Sequence, residues 1–541
     1  MNAVRYSKHA ALALLGGVLL LSSAALRAEI TPVSLAKPTV PVLATQELLT
    51  TDNYLIRTAP IEPLRIPPPE LPDISGFTKE AAQGRLDSKR SELGQGKAGL
   101  RRMLRENTLK EFTGSDERLG VWLKLQREMP QAIFISGGYI TPKQMAAQLP
   151  DRYFQETEPG VYIARLPVVV ENDSLLHLDA SVQDFRMSQE RGSFLINDGN
   201  LFIIDSRLTA WNETAGEPAW YKKTGAFRPF LNSWGGTDTY IVDSTVTSLG
   251  YADSKSYGLS ISQYSPSMVD KMGRPHPTAW LLNSTFDDMW YGFYCYEADD
   301  VVLIGNTYKN NIVYGIDPHD RSRRLIIAEN TAFGTREKHG IIISREVNDS
   351  WIFNNRSYDN KLSGIVIDRS SVNNVIAYNE TYHNESDGIT IYESGNNMLW
   401  GNRVIANARH GIRVRNSVDI KLYENIASGN GKLGIYGHIK DLTDTDRDID
   451  LDPFDTQVSL LVVGGQLAGN QSGPIGVDSP LSIELYNVEM LAPAKASGIT
   501  LPGILGKHQD LILDLMGRQQ QAVLIDPGET QKELRDGAVS N

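Results

Sequence analysis

The sequence predicts an all-β protein: a right-handed parallel β-helix with about 23–25 residues in each rung and helical caps at its ends. The main observation is a series of glycines, each followed by an apolar residue, at steps of 23, 24 or 25 residues. Fixed periods of this length indicate a solenoid. No helical pattern lies within the period, which argues against leucine-rich and ankyrin repeats. The repeating glycines are Gly292, Gly315, Gly340, Gly364, Gly388, Gly411 and Gly434.

The residues after each glycine alternate in the manner of a short strand with one buried face, as in Gly364-Ile365-Val366-Ile367. The first and third residues after the glycine are expected to point inward, and the second and fourth to point outward. Cys295 occupies a third position, so we expect it in the core. As the only cysteine of the chain, it excludes an internal disulfide.

Two further series consist of asparagines. The first series follows each glycine by 14 or 15 residues, and the second precedes the next glycine by four. Asn tolerates left-handed backbone geometry and can hydrogen-bond to an identical Asn one rung away. We therefore expect two structural ladders, formed by Asn306, Asn330, Asn354, Asn379, Asn402 and Asn425, and by Asn311, Asn360, Asn384, Asn407 and Asn430.

The first 28 residues predict a secretory signal peptide. Arg5 and Lys8 precede the apolar run of residues 10–21, and small residues follow to Ala28. A single membrane anchor is the alternative, but the apolar run is short for a membrane span. The chain is therefore predicted to be exported.

The remainder divides by composition into three parts. Residues 29–130 read as a Pro-rich lead-in and a helical N-terminal cap, with some of the helices covering the open end of the solenoid. Residues 131–490 read as the β-helix, with its most regular rungs at 240–438, and residues 491–541 as a C-terminal cap. The acidic segment 441–455 lacks the spacing and the glycine of an EF-hand, so no metal and no other cofactor is expected.

Charge narrows the class of ligand. The net charge is −12 for the full chain, which argues against nucleic acid as a partner. Between Arg321 and Arg415, however, 13 Lys and Arg stand against 10 Asp and Glu. A locally basic face on an acidic protein suits a polyanion other than duplex DNA.

One stretch departs from the repeat. Residues 314–320 read Tyr-Gly-Ile-Asp-Pro-His-Asp, with Pro318 at an inward position that proline usually avoids. Departures of this kind in a regular array indicate a functional site. Because parallel strands stack in register about 4.8 Å apart, the equivalent outward positions form columns. The fourth-position column reads Tyr296, His319, Ser344, Asp368, Tyr392, Arg415 and His438, and the fifth reads Glu297, Asp320, Arg345, Arg369, Glu393 and Asn416.

With this motif in this repeat, the chain resembles the mannuronan C5-epimerases of alginate-producing bacteria, most closely their periplasmic biosynthetic type. The resemblance implies conversion of β-D-mannuronate into α-L-guluronate within the alginate polymer, a periplasmic location and membership of a polymer-export assembly. Secreted relatives carry calcium-binding nonapeptide repeats. This sequence has none, so calcium dependence is not carried over.

The chemistry of epimerisation explains the residue types. Removing the C5 proton beside a carboxylate creates a dianionic enolate, so the carboxylate must be neutralised. A guanidinium can bind both of its oxygens. We expect His319 to be the base, a role that the resemblance also gives it. Arg345, one rung away, is expected to neutralise the carboxylate, and Asp317 to orient the imidazole. Asp320 completes the catalytic set.

The proton donor on the opposite sugar face is left open. Tyr314 matches the tyrosine of the family motif, but strict alternation places it on the inward side with Ile316. Ordered water is an equal candidate, and Lys309 and His339 are outside candidates. Sugar rings are expected to stack on tyrosines, and more distant arginines to bind the polymer. The expected substrate-binding residues are Tyr294, Tyr296, Arg369, Tyr392 and Arg415.

Two other functions remain open from the residues themselves. A uronan lyase shares the proton abstraction but then expels the oxygen at C4. A non-catalytic polysaccharide-export scaffold would use the same β-helix for binding alone. A fold does not determine a function, and it is the motif that favours the epimerase.

Overall fold

The computed structural model describes residues 45–51, 54–61, 66–102, 124–125, 131–253, 255–264 and 266–528. The predicted right-handed parallel β-helix is confirmed. Its rungs are built from three short strands, and the corresponding strands of successive rungs pair in parallel to give three long sheets. The predicted signal peptide of residues 1–28, the start of the lead-in, most of 103–130 and the last 13 residues lie outside the described parts.

Two of the sheets are named after what lies on their outer faces: the candidate active site on one, and an N-terminal strap of extended chain on the other. The site sheet consists of Lys97–Arg102, Gln131–Ser136, Val168–Val170, Leu195–Asn197, Leu231–Trp234, Gly258–Ser262, Tyr291–Tyr296, Tyr314–His319, Ile341–Ser344, Ile365–Asp368, Ile389–Tyr392, Ile412–Arg415, Leu433–His438 and Gly473–Val477. The strap sheet consists of Gln46–Thr51, Tyr54–Pro60, Tyr139–Ile140, Leu175–Leu178, Asn200–Ile204, Asp238–Val242, Thr278–Leu282, Val302–Ile304, Ile326–Ala328, Trp351–Phe353, Val375–Ala377, Met398–Trp400, Ile420–Tyr423, Ser459–Val463, Ser482–Tyr486 and Gln521–Pro527. The third sheet consists of Phe154–Glu158, Val161–Ala164, Asp184–Ser188, Arg207–Asn212, Glu217–Pro218, Thr245–Thr247, Thr285–Asp287, Thr307–Lys309, Thr331–Phe333, Arg356–Tyr358, Glu380–Tyr382, Arg403–Ile405, Ile426–Ser428, Gln466–Ala468 and Glu489–Leu491.

The register of the site sheet follows the predicted columns. Tyr296 pairs with His319, and His319 pairs with Ser344. First-position residues such as Ile316 and Ile341 lie opposite each other in the core. Cys295 is fully buried and free, as expected. The repeated glycines allow rungs to approach closely, since a Cβ at Gly315 would lie 2.4 Å from the carbonyl oxygen of Gly340.

Both asparagine ladders form, with two corrections. In the second ladder, side-chain hydrogen bonds join Asn360, Asn384, Asn407 and Asn430. Asn311 is not joined to them, because Thr335 occupies the position between Asn311 and Asn360, and Nδ2 of Asn311 has no hydrogen-bond partner among the described residues.

In the first ladder, Nδ2 of each Asn donates to Oδ1 of the next, but Asn355 and not Asn354 is the member in its rung. Asn354 is exposed and has a φ of 55°. The ladder residues themselves are not left-handed. The residue before each member of the first ladder has the positive φ instead. These preceding residues are Gly305, Glu329, Asn354, Tyr378, Gly401 and Glu424.

The described helices are short and lie outside the rungs: Lys79–Ser91, Pro142–Ala146, Pro266–Met272, Ile504–Lys507 and Gln509–Gly517. Helix Lys79–Ser91, one of the helices expected in the N-terminal region, lies on the outer face of the strap sheet and not over the open end of the solenoid. Its Ala82 and Leu86 join the aromatic cluster there, and Arg85 stacks over Trp280. At that end of the site sheet, strand Lys97–Arg102 pairs antiparallel with Gln131–Ser136.

The residues before this helix form an extended strap, defined here as the described residues of 54–78. Strand Tyr54–Pro60 pairs antiparallel with Gln521–Pro527 beyond the last rung. Apolar side chains further along the strap pack on the outer face of the strap sheet, where Phe77 meets Trp280 at 4.9 Å between ring centroids. None of the helices within the described ranges is long and apolar enough to cross a membrane.

Candidate active site

A cleft of about 160 Å³ opens on the outer face of the site sheet. Asp317 and His319 occupy the second and fourth positions after Gly315 and face the cleft, as predicted. Residues from neighbouring rungs complete the walls. The lining consists of Tyr257, Tyr291, Tyr294, Tyr314, Asp317, His319, Ile342, Ser344, Asp368 and Arg369.

The imidazole of His319 is held by Asp320. Nδ1 of His319 and the carboxylate of Asp320 form a short hydrogen bond, although the residues are consecutive. The strand ends at His319, and Asp320 adopts a φ of 40°, which turns its side chain back beside the ring. The sequence assigned this orienting role to Asp317. The contact is made by Asp320, because alternation places Asp317 two residues away along the strand.

The surroundings shift both titrating groups. Burial lowers the pKa of His319, but the hydrogen bond to Asp320 and the charge of Asp317 outweigh it, so that the pKa is raised. Burial raises the pKa of Asp317 to about 7, against the opposing effect of His319. Among the described residues, Oδ1 of Asp317 has no hydrogen-bond partner. Asp317 therefore presents an unpaired carboxyl oxygen beside the cleft.

Tyr314 lines the cleft, so the expectation that alternation directs it inward is wrong. Alternation begins only after Gly315, and Tyr314 lies before that residue. It belongs to an aromatic column of four residues that each precede a glycine: Tyr257, Tyr291, Tyr314 and His339. Its ring lies 5.0 Å from that of Tyr291 and 6.0 Å from that of His339 between centroids, and Tyr257 lies 4.7 Å from Tyr291. This recurrence is the sequence signal that would have identified Tyr257 and Tyr291.

The candidate proton donors are not equally placed. Burial raises the pKa of Tyr314, so its hydroxyl keeps its proton at neutral pH. Lys338 Nζ donates to this hydroxyl at 3.3 Å. Burial lowers the pKa of His339 to about 4, and its Nδ1 accepts from the backbone of Ser363, so this imidazole is neutral. Lys309 was an incorrect candidate: it lies on the third sheet, 3.3 Å from Asp287.

The two arginines of the fifth column are joined by one carboxylate. Asp452 accepts from Arg345 Nη2 at 2.8 Å and from Arg369 Nη1 at 3.2 Å. Arg345 does not line the cleft, but its Nη1 lies 3.8 Å from Asp320 Oδ1, beside His319 as expected. Arg369 does line the cleft, although the sequence placed it farther from the chemistry. The reason is side-chain reach, since arginine is long enough to cross a rung. Nε of Arg345 is buried and has no hydrogen-bond partner in the described chain.

The predicted substrate-binding tyrosines are distributed along the sheet. Tyr294 lines the cleft, with its ring 5.9 Å from that of His319. Tyr296 lies outside the lining and accepts from Arg321 at 3.2 Å. Tyr392 lies further along, where Arg413 donates to its hydroxyl at 3.0 Å and Arg415 stacks on its ring at 3.8 Å.

Asp368 lines the cleft but had no predicted role. Ser344 donates to its carboxylate at 3.1 Å, and burial raises its pKa. Within the described ranges, no group of three or more His, Cys, Asp or Glu side chains is arranged to hold a metal ion. A larger cavity of about 800 Å³ lies between the last rungs and helix Gln509–Gly517, and none of the candidate residues lines it.

Comparison with known proteins agrees with this geometry. A family model for the right-handed β-helix region matches residues 291–441. A mannuronan C5-epimerase of Pseudomonas aeruginosa is 64% identical over 91% of this chain and 90% of its own length. The mannuronan C5-epimerase AlgG of Azotobacter vinelandii is 58% identical over 88% and 90%. A crystal structure of the periplasmic alginate epimerase AlgG superposes with a TM-score of 0.77 at 55% identity, covering 79% of this chain and 100% of that one.

Proposed function

The chain belongs to the mannuronan C5-epimerases, and from this premise we propose which of its residues carry out the reaction. The protein is an isomerase that acts on a polysaccharide: it converts β-D-mannuronate residues of alginate into α-L-guluronate within the polymer. The observation that supports the assignment of roles is the His319 imidazole, oriented by Asp320, in one cleft with Asp317, Tyr314 and Arg369.

His319 is proposed as the base. Because its Nδ1 is engaged by Asp320, Nε2 is the ring nitrogen left to accept the C5 proton. The electron pair of the C5–H bond then moves toward the C6 carboxylate, which becomes a dianionic enolate. The raised pKa of His319 makes it a stronger base than free histidine.

Arg345 and Arg369 are proposed to neutralise the C6 carboxylate together. Arg369 faces the cleft, and Arg345 keeps a buried Nε–H without a partner among the described residues. Asp317 is proposed as a third contributor. With a pKa of about 7, Asp317 can hold the single proton of the Asp317–His319 pair while the imidazole is neutral, and the neutral acid can donate a hydrogen bond to the developing enolate. Preorganised donors at such a position stabilise the transition state more than the ground state.

Tyr314 or an ordered water returns a proton to C5 from the opposite face of the sugar. The raised pKa of Tyr314 keeps its hydroxyl protonated, and Lys338 lies within hydrogen-bond distance to replenish it. Tyr294, Tyr296, Tyr392 and Arg415 are proposed to bind neighbouring residues of the polymer along the outer face of the site sheet.

Incubating polymannuronate with the purified mature protein in deuterated water tests this function. Guluronate residues should acquire deuterium at C5 without shortening of the chain, because abstraction and reprotonation both exchange with solvent. A lyase would instead produce an unsaturated uronate with ultraviolet absorbance. If neither deuterium exchange nor ultraviolet absorbance is observed, only the scaffold function remains.

The protein acts in the periplasm, as does the similar crystallised epimerase. We further propose that the predicted signal peptide of residues 1–28 directs its export and that the protein joins a periplasmic polymer-export assembly, a proposal supported by the family resemblance. Mild cross-linking in cells, followed by purification of the tagged protein, should recover other periplasmic or outer-membrane proteins. Recovery of the epimerase alone would count against the assembly.

A further inference from the structure

The segment between strands Leu433–His438 and Ser459–Val463 is an insertion into the repeat. Ladder residues Asn407 and Asn430 are 23 positions apart, but the next step, from Asn430 to Asn470, is 40. The additional residues leave the rung as a loop, defined here as the inserted loop of residues 439–458. It belongs to a later rung than the catalytic motif, yet it extends back along the outer face of the site sheet.

The inserted loop brings two charges to the fifth column, each opposite in sign to the residues it meets. Arg447 Nη1 lies 2.8 Å from Glu393 Oε2, and Arg447 Nε donates to the backbone carbonyl of Asp452 at 2.6 Å. Asp452 then contacts Arg345 and Arg369, and its side chain is only 5% exposed. Arg447 therefore anchors the loop, and Asp452 is built into the column as a buried ionic bridge.

We propose that Asp452 is a positioning residue for epimerisation, which holds Arg345 and Arg369 side by side against the cleft. Two guanidinium groups on adjacent rungs repel each other, and a carboxylate between them removes this repulsion and fixes both side chains. The bridge leaves a guanidinium for a ligand, since Arg369 still lines the cleft. This inference rests on the proposed role of the two arginines in neutralising the substrate carboxylate.

The opposite function for Asp452 would be competition with the polymer, in which its carboxylate occupies the arginines until substrate displaces it. Displacement would have to expose a nearly buried carboxylate and detach a loop that Arg447 ties to Glu393. Removing one partner of a buried ion pair leaves the other charge uncompensated, which is costly. The anchoring therefore favours a permanent positioning role.

The test compares Asp452→Asn with Asp450→Asn in the mature protein acting on polymannuronate. Asp450 lies in the same loop and is exposed, so its substitution removes the same charge without touching the arginines. We expect Asp452→Asn to lower kcat about 10- to 100-fold and to raise KM, because misplaced catalytic donors typically cost this much. Asp450→Asn should stay within about twofold of the unmodified protein, and circular dichroism should show all samples folded.

Combining Asp452→Asn with Arg345→Lys and Arg369→Lys separates positioning from general structural effects. If Asp452 acts through the arginines, its substitution should have little further effect on kcat once both are changed. Fully additive losses would overturn the proposal. So would a lowered KM with unchanged kcat in Asp452→Asn, which is the signature of competition, and so would equal effects of Asp452→Asn and Asp450→Asn.

Two further comparisons keep the outcome decisive. Should Asp452→Asn fail to fold, Asp452→Glu retains the charge but lengthens the side chain by one methylene. It should fold and lower kcat by a smaller factor, and a kcat equal to that of the unmodified protein would overturn the proposal. Arginine single variants that keep full kcat would instead refute the proposed neutralisation. Impaired arginine variants beside an unimpaired Asp452→Asn would refute the positioning role alone.

Discussion

His319 and Asp320 are neighbours in sequence whose side chains are hydrogen-bonded to each other, because the backbone enters the left-handed region at Asp320. In an uninterrupted strand, consecutive side chains would point to opposite faces. The same geometry recurs at every member of the fifth column: Glu297, Asp320, Arg345, Arg369, Glu393 and Asn416. Each side chain is thereby available beside the outward fourth column, which is how two columns of functional groups come to share one face.

Replacing His319 by Asn should abolish epimerisation while leaving the fold intact. The imidazole is the proposed base, and loss of a general base typically costs about 10²–10⁴ in rate. Proton NMR of the polymer product and circular dichroism on the same sample measure the two effects. His383→Asn is the matched control, because His383 is exposed and has a φ of 55°, which Asn tolerates. Activity of His319→Asn within a few-fold of the control would eliminate His319 as the base.

Asp320→Asn should shift the pH dependence of kcat/KM. His319 must be neutral to accept a proton, so kcat/KM falls as pH drops through its pKa. Asp320 raises this pKa, by its hydrogen bond and its charge, so removing the charge should move the acidic limb of the profile to lower pH. Asn tolerates the left-handed backbone, and the exposed Asp359, at a φ of 52°, provides the control Asp359→Asn. A limb that stays in place or moves to higher pH would contradict the assignment.

The arginines should differ according to their distance from the cleft. Arg345→Lys and Arg369→Lys each keep a positive charge but lose the planar fork, and both should lower kcat by roughly 10². Arg369 lines the cleft, and Arg345 Nη1 lies 3.8 Å from Asp320 Oδ1. Arg415 instead stands four rungs from His319 in the fourth column, where Glu393 holds it through contacts of 2.8 and 3.2 Å. Arg415→Lys should therefore mainly raise KM, with kcat largely preserved. A fall in kcat for Arg415→Lys as large as for the other two would show that polymer binding, and not neutralisation, is being measured.

The ladder assignment predicts opposite outcomes for two adjacent asparagines. Asn355→Ala removes the acceptor of the Asn330 side chain and backbone N–H and leaves the carbonyl of Ile327 without its donor. Each buried group left unpaired costs about 1–3 kcal/mol, so a marked fall in Tm is expected. Asn354→Gly should change Tm little, because Asn354 is exposed and glycine suits its positive φ. Equal shifts in Tm would contradict the ladder.

The periodic features of the fold could be predicted because they recur in every rung. The spacing of Gly315 and its equivalents follows from close contact between rungs, and the alternation after it places Asp317 and His319 on one face. Predictions from the same pattern were wrong at the ends of its strands. Tyr314 lies before the glycine that starts the alternation, and at Asn354-Asn355 two candidates for one ladder position are adjacent. The period alone cannot decide which of the two asparagines joins the ladder, because the local backbone geometry determines it.

Asp452 illustrates a second limit of prediction. Its contacts with the fifth column depend on where the inserted loop folds, which no repeat in the sequence records. The reach of Arg369 into the cleft was equally unpredictable, because the column to which a residue belongs gives its rung and not the direction of its side chain. The path of the N-terminal strap was also not predictable, since it depends on apolar contacts between segments far apart in the chain.

The pairing of strand Tyr54–Pro60 with Gln521–Pro527 has a consequence for biogenesis. The first of these strands is synthesised at the beginning of the chain, and its partner is among the last described residues to be made. Rungs can form in succession during synthesis or translocation, but the early strand cannot dock until the final one arrives. An incomplete chain would leave the backbone of this sheet edge unpaired and open to association with other chains. Pairing of Tyr54–Pro60 with Gln521–Pro527 thus distinguishes a finished polypeptide from a truncated one.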